Sequence, residues 1–300
     1  MAEQKVQKCV KRRSLYAACL HTRGFKQYAE LAYQLALDQT KSGYPTYVDG
    51  IKSKEDFYKN SEKAFASAED EILLFEYEGV VEGWIHYYWM PEDRYLSTMS
   101  FLIDSHTELA MQEFLVYVQE RFSGYDLFLC YPTDNRKAIT FLTRHGFECI
   151  EESNHNSAFL GNCEPIAESD DIVRITKDNF QCFRTLHDQI EGYMYWDSDR
   201  LYKKLDRWVI FVKLKEDTPL GAIYYTAYDE NHFEIFGFDS KDNSFDGAVF
   251  RDLLIKALNT AKESGGKYIT FFCEDEELPI VNELGFRFIS RYVGYQKRLD

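Results

Sequence analysis

Few residues in this chain have the type and setting for chemistry. Cys130 and Cys273 each end an apolar strand pattern, in "DLFLCYPTDN" and "KYITFFCEDE". A strand-end thiol could act as a nucleophile, but no His or Lys is fixed beside either one, and a small buried thiol is the simpler reading. Glu76 and Glu78 lie in "ILLFEYEGVVEG". Either carboxylate could take a proton as a general base, or simply be the solvent-facing position of an alternating strand. In "GWIHYYW", His86 shares a strand face with Trp84 and Tyr88, opposite Ile85, Tyr87 and Trp89. Either aromatic face could line a cleft, with packing against helices the plainer alternative. Finally, "TDNRKAITFLTRHGFECIEE", residues 133–152, puts Asn135 at the mouth of a short apolar helix that must end at Gly146-Phe147. Thr133 or Asp134 can cap that helix, Gly146 can take the left-handed turn that stops it, and Phe147 can close it.

The elements that must position these residues come in two copies. "CLHTRGFKQYAELAYQ" aligns with "RITKDNFQCFRTLHDQ", pairing Phe25 with Phe180, Tyr28 with Phe183 and Leu31 with Leu186 at helical spacing. "ILLFEYEGVVEGWIHYYWMPEDRYLSTMSFLIDS" aligns with "VIFVKLKEDTPLGAIYYTAYDENHFEIFGFDS", and Gly146-Phe147 with Gly285-Phe286. The offset falls from 155 at Phe25/Phe180 to 139 at Gly146/Gly285, which shorter loops in the second copy absorb. Each copy reads strand, helix, second helix, a three-strand meander, long helix, strand, short helix and closing strand. The long helix of the first copy, "TELAMQEFLVYVQERF", carries Leu109, Phe114, Val118 and Phe122 as its apolar stripe. A meander followed by a helical crossover gives a mixed sheet with helices on both faces, so the expected class is α/β (α+β). The linker falls in the polar stretch "GNCEPIAESDD", giving halves 1–162 and 170–300.

Bulk properties limit the partners. With 300 residues and 45% hydrophobic content, the chain can build more than one core. No apolar run reaches the roughly 18 to 20 residues of a membrane span. The cluster Lys11-Arg12-Arg13 before "SLYAACL" reads as the approach to a strand rather than a signal peptide, and the basic start "KVQKCVKRR" as a frayed leader or helix rather than a binding arm, so a cytoplasmic chain is expected. Seven scattered cysteines with no CxxC suggest reduced thiols and no metal site. A formal charge of −15 would repel nucleic acid and tolerate a cationic amine better.

The element order, together with Asn135, Ala138, Phe141 and Gly146-Phe147, resembles the GCN5-related N-acetyltransferase (GNAT) family over nearly the whole chain, as two tandem domains. The resemblance implies acetyl-CoA as cosubstrate and a small amine as acceptor, attacked directly by the neutral amine. It implies that Asn135 contacts the pantetheine arm. It also implies that the fourth strand, at Phe101, Leu102 and Ile103 in one copy and Phe238 in the other, holds the thioester, with Gly247 at the phosphate loop. Glu76 is then the candidate base and Tyr131 the candidate acid, with Tyr292 and Tyr295 as other tyrosines near the site. Two domains packed as a pseudo-dimer within one chain, monomeric or as a homodimer, complete the expectation.

The chain departs from the family at two places. The glycine-rich loop that binds the CoA pyrophosphate is replaced by "FLIDSHTELAMQEF" and by "FGFDSKDNSFDGAVFRDLL", with acids at Asp104, Asp239, Asp242 and Asp246. The usual acidic tyrosine is Leu142 in one copy and Val281 in the other. The alternative expectation is therefore a non-catalytic protein of the same fold that binds a ligand or partner.

Overall fold

The computed structural model describes residues 15–17, 25–162, 165–189, 195–227 and 231–300. The basic leader, residues 5–13, and the side chain of Phe25 lie outside the described part. The element order matches the one read from the sequence. Two compact units are present, one of Met1–Glu151 with Val293–Asp300, the other of Glu152–Tyr292.

The first unit runs β1 (Leu15–Ala17), α1 (Phe25–Ala36), α2 (Lys54–Ala64), β2 (Asp70–Tyr77), β3 (Val80–Met90), β4 (Tyr95–Ile103), α3 (Thr107–Arg121), β5 (Asp126–Pro132) and α4 (Arg136–Arg144). Strands β1 to β4 pair antiparallel in chain order, and β5 joins β4 in parallel after the α3 crossover. The β2–β3 hairpin turns on Glu78 and Gly79, both at positive φ, which suits the right-handed twist of the flanking strands. Glu78 therefore belongs to the turn and not to a strand face. Side chains alternate across the sheet. Ile85, Tyr87 and Phe101 meet Ala110, Phe114 and Val118 of α3 and Phe141 of α4 on one face, while Trp84 and Leu102 meet Ala32 and Leu35 of α1 and Phe57 of α2 on the other. Both aromatic faces of β3 are thus packed against helices. The expected stripe of α3 is corrected at Leu109, which is 36% exposed, because Ala110 and Met111 turn inward instead.

The second unit repeats the plan with β7 (Ile172–Arg174), α5 (Phe180–His187), α6 (Ser198–Lys203), β8 (Trp208–Lys215), β9 (Thr218–Ala227), β10 (His232–Ser240), α7 (Gly247–Glu263), β11 (Tyr268–Cys273) and α8 (Leu278–Glu283). Strands β7 to β10 are antiparallel neighbours and β11 joins β10 in parallel. Phe180, Phe183 and Leu186 of α5 are buried against Ile210 and Tyr224, as the helical spacing predicts.

The closing strands set the compact units apart from the sequence halves. β6 (Glu148–Phe159) pairs with β11, so its residues from Glu152 onward count in the second unit. The last strand, β12 (Arg287–Arg298), gives Val293 onward to the first unit, where Leu299 exchanges backbone bonds with Gly124 and Tyr125. Both short helices end alike. Gly146 and Gly285 sit at φ 72° and 91°, and the next residue, Phe147 or Phe286, donates its N–H back to Leu142 or Val281 and is buried. Any side chain at either glycine would be strained.

Candidate functional site

A wedge opens in each unit where the fourth and fifth strands part. β4 and β5 pair only at Tyr95↔Asp126, Leu96↔Leu127 and Ser97↔Phe128, although both run on. Met99 is an extra residue in β4, since the β3 register passes from Tyr87↔Thr98 to His86↔Ser100. In the second unit, β10 and β11 part after Ile235↔Phe271, and Phe236 is the extra residue between Ile235↔Tyr225 and Gly237↔Tyr224. A bulge bends its strand and increases the twist, which turns β4 and β10 away from their parallel neighbours. Parting exposes backbone N–H and C=O groups that must find partners. Phe101 and Phe238 each stand two residues beyond the bulge, on those open edges.

In the first unit the chain itself fills the wedge. Residues 41–44, between α1 and α2, lie between the two strands. Ile103 donates its N–H to the Lys41 carbonyl at 3.0 Å, Gly43 donates to the Phe101 carbonyl at 2.8 Å, and Tyr44 donates to the Cys130 carbonyl at 2.8 Å. Ser42 and Leu102 form an antiparallel bridge. Asn135 is the N-cap of α4 in place of Thr133 or Asp134: its side-chain oxygen accepts from the Ala138 N–H, and its amide donates to the Ser42 carbonyl at 3.1 Å. Both groups of that side chain are therefore engaged within the protein. The groups expected to meet the pantetheine arm (Asn135) and the thioester (Phe101, Leu102 and Ile103) thus stand beside residues 41–43, which Asn135, Phe101 and Ile103 bond directly. Tyr131 packs behind them, ring to ring with Phe101 at 6.2 Å, and its hydroxyl is buried with no hydrogen-bond partner among the described residues. Burial holds that hydroxyl well above the ordinary tyrosine range.

In the second unit the corresponding connection between α5 and α6 runs through residues 190–194, which lie outside the described residues. Beyond Ile235, no described residue bonds the backbone of Gly237 or Phe238 from the β11 side. Two acidic groups stand close by. Glu277, the residue before α8, is 6% exposed and accepts the Glu274 N–H at 2.8 Å. Burial pushes its carboxyl up to about 8, against the lowering effect of the Glu274 N–H. Its charge is felt by Tyr224 and Cys273, whose thiol burial also raises, so Cys273 is a poor nucleophile. Asp239 lies on β10, fully paired on one side: its Oδ2 is 2.8 Å from His187 Nδ1, while His187 Nε2 is 2.8 Å from the Trp196 carbonyl. Burial raises the Asp239 carboxyl despite His187. Since Nε2 must donate to a carbonyl, Nδ1 and Asp239 share one further proton between them.

The helix starts that would face a diphosphate carry carboxylates. At α7, Asp246 Oδ1 accepts the N–H groups of Ala248 and Val249 at 3.0 and 3.1 Å. Gly247 follows it, and a Cβ there would meet Ile280 at 3.2 Å. At α3, His106 and Ser105 both bond Glu82, at 2.7 and 2.8 Å, and Lys41 pairs with Asp104 at 2.6 Å. A helix N-terminus favours anions, so each start is already compensated by the protein's own acids.

The remaining sequence candidates are placed as follows. Glu76 is half-buried near Tyr16 on β2, away from the wedge residues, and His86 pairs with Asp70 at 3.2 Å. Tyr295 is in the first unit's core and Tyr292 packs on Phe272 at 4.7 Å in the second. Sequence reasoning missed Ser42, Gly43, His187 and Glu277. The only signal was "KSGYPT", a Gly and an X-Pro pair in what reads as a loop.

No family model matches the sequence, and no curated protein matches it. Solved structures do. A GCN5-related N-acetyltransferase from Sphaerobacter thermophilus is similar at 11% identity and a TM-score of 0.61, covering 95% of each chain. A tandem GNAT protein from the clavulanic acid biosynthesis pathway covers 95% of this chain and 98% of its own at 10% identity and a TM-score of 0.54. A GCN5-related N-acetyltransferase from Kribbella flavida, 13% identical, covers 73% of this chain and 88% of its own with a TM-score of 0.52. At such identities the likeness is one of fold, and the fold of this chain is that of the GCN5-related N-acetyltransferases.

Proposed function

We propose that the chain is an acyl-CoA-dependent N-acetyltransferase acting on a small amine, and that its second unit holds the thioester. The observation that carries this reading is the parting of β10 and β11 after Ile235↔Phe271 with the buried carboxyl of Glu277 nearby, whereas the Phe101 edge of the first unit is already bonded by residues 41–43. A thioester carbonyl lying along that edge would find backbone N–H groups for its oxyanion. In the reaction the amine nitrogen attacks the carbonyl carbon, a C–N bond forms, the C–S bond breaks, and the amine's surplus proton leaves. Glu277, held near 8 by burial, is suited to take that proton, since a base works best when its affinity matches the working pH. Tyr131 and Glu76, both in the first unit, take no part.

The carboxylate cap at α7, and Glu82 bonding Ser105 and His106 beside the start of α3, favour a second reading, a GNAT-fold protein that binds a ligand or partner without catalysis. One assay separates the two. Incubation with acetyl-CoA and a panel of small primary amines, followed by free-thiol release and mass of the amine, gives one acetylated amine per thiol in the enzyme reading. Absence of turnover with every amine, together with no thermal shift by any acyl-CoA, overturns it. The reaction needs no membrane, and none of the described helices is long and apolar enough to cross one.

A further inference from the structure

The segment between α1 and α2 is held too firmly to be a loose lid. It bonds both walls of the first unit's wedge at once, through Gly43 to Phe101 and Tyr44 to Cys130, and Ile103 donates to it in return. Asn135 fastens it from below at Ser42, which is fully buried. Its two ends are anchored as well. On the near side, the Ser42 hydroxyl donates to the Asp38 carbonyl at 2.9 Å and Lys41 pairs with Asp104. On the far side, the Tyr47 N–H donates to the Ala36 carbonyl at 3.0 Å, and the Tyr47 ring meets Phe57 edge-on at 5.4 Å inside a core cluster. Gly43 fits closely: a Cβ would come to 3.2 Å from the Cys130 carbonyl, Phe101 and Tyr131, tighter than most real contacts, so the neighbours would have to shift.

We infer that residues 41–44 are a built-in strand that occupies the first unit's wedge permanently and excludes from it any extended, amide-bearing ligand, an acyl-pantetheine included. Such a ligand could bond β4 and β5 only through the groups this segment already uses, so the two cannot be bound together. The contact closes the first unit's wedge to such a ligand in the folded chain. It is read from the first unit alone, and it stands or falls separately from the thioester reading of the second.

Hydrogen exchange on the full chain tests it, with and without saturating acetyl-CoA. The amides of Gly43, Tyr44 and Ile103 are expected to exchange at least ~10³-fold slower than unprotected amides, as core strands do, and at the same rate when acetyl-CoA is present. Exchange within about tenfold of an unprotected amide, or any change at these amides on adding acetyl-CoA, overturns the proposal. In Gly43→Ala the same amides are expected to lose protection while those of β8 and β9 keep theirs. Unchanged protection in that variant counts against the inference too. If the variant does not fold, the wild-type comparison decides alone.

Discussion

The side-chain amide of Asn135 reaches 93 residues back along the chain to the Ser42 carbonyl, at 3.1 Å. Both residues are buried, so one bond ties the start of α4 to the segment that fills the first wedge. Asn135→Ala removes this bond and the cap on Ala138 together, leaving a buried carbonyl unsatisfied. A loss of about 1–3 kcal/mol in unfolding free energy is expected. Chemical denaturation measures it, and under the proposed function, which puts the thioester in the second unit, acetyl-CoA affinity should be unchanged.

Glu277 gives a pH signature. Its carboxyl is raised from an ordinary 4.5 to about 8, so the folded chain binds that proton more tightly than the unfolded chain. The stability this contributes is fully present below about pH 4.5 and is lost as pH rises through about 8. Glu277→Gln keeps an acceptor for the Glu274 N–H and removes the titration. Urea unfolding across pH should show a flatter profile for the variant, more stable than wild type at alkaline pH by on the order of a few kcal/mol. Under the enzyme reading, the same variant loses the rise of activity toward pH 8.

The His187–Asp239 pair is buried on every side, His187 being stacked on Phe183 and set edge-on to Tyr224. Asp239→Leu leaves Nδ1 facing an apolar group and should lower stability by about 3–5 kcal/mol. Asp239→Asn still offers an oxygen to Nδ1 and should lose clearly less. Equal losses in urea unfolding would contradict the shared-proton arrangement.

Asp246 caps α7 with a carboxylate where a diphosphate would need positive potential. Asp246→Asn keeps a capping oxygen and removes the charge. Calorimetric titration should show CoA binding tightened by roughly fivefold, for about 1 kcal/mol of relieved repulsion. Stability should fall by only a few tenths of a kcal/mol, the part due to the helix dipole.

Local pattern made much of this fold legible. The apolar spacing of Phe180, Phe183 and Leu186 marked a buried helix face, and the paired Gly-Phe exits marked two equivalent short helices, because both features depend on residues a few positions apart. Glu78 was misread for the same reason, since a positive-φ turn residue looks like a strand residue until the hairpin register is known. The site was hidden more deeply. Residues 41–44 carry no strand pattern, and their partners, Phe101, Cys130 and Asn135, are far away in sequence. Asn135 stands out in the sequence at the mouth of its helix, but its bond to the Ser42 carbonyl, 93 residues away, leaves no local signal. His187 and Asp239 looked like a helix residue and a strand-end acid, and only the packing of α5 on β10 joins them.

In the proposed function the first wedge is filled by residues 41–44 and the second takes the donor. A calorimetric titration of the wild-type chain with acetyl-CoA tests this most directly. One equivalent bound per chain, abolished by a bulky substitution at the open edge such as Gly237→Val, whose side chain would run into the Tyr224 hydroxyl, is the predicted result. Two equivalents per chain, or one that survives Gly237→Val and is lost in Asn135→Ala, would contradict it.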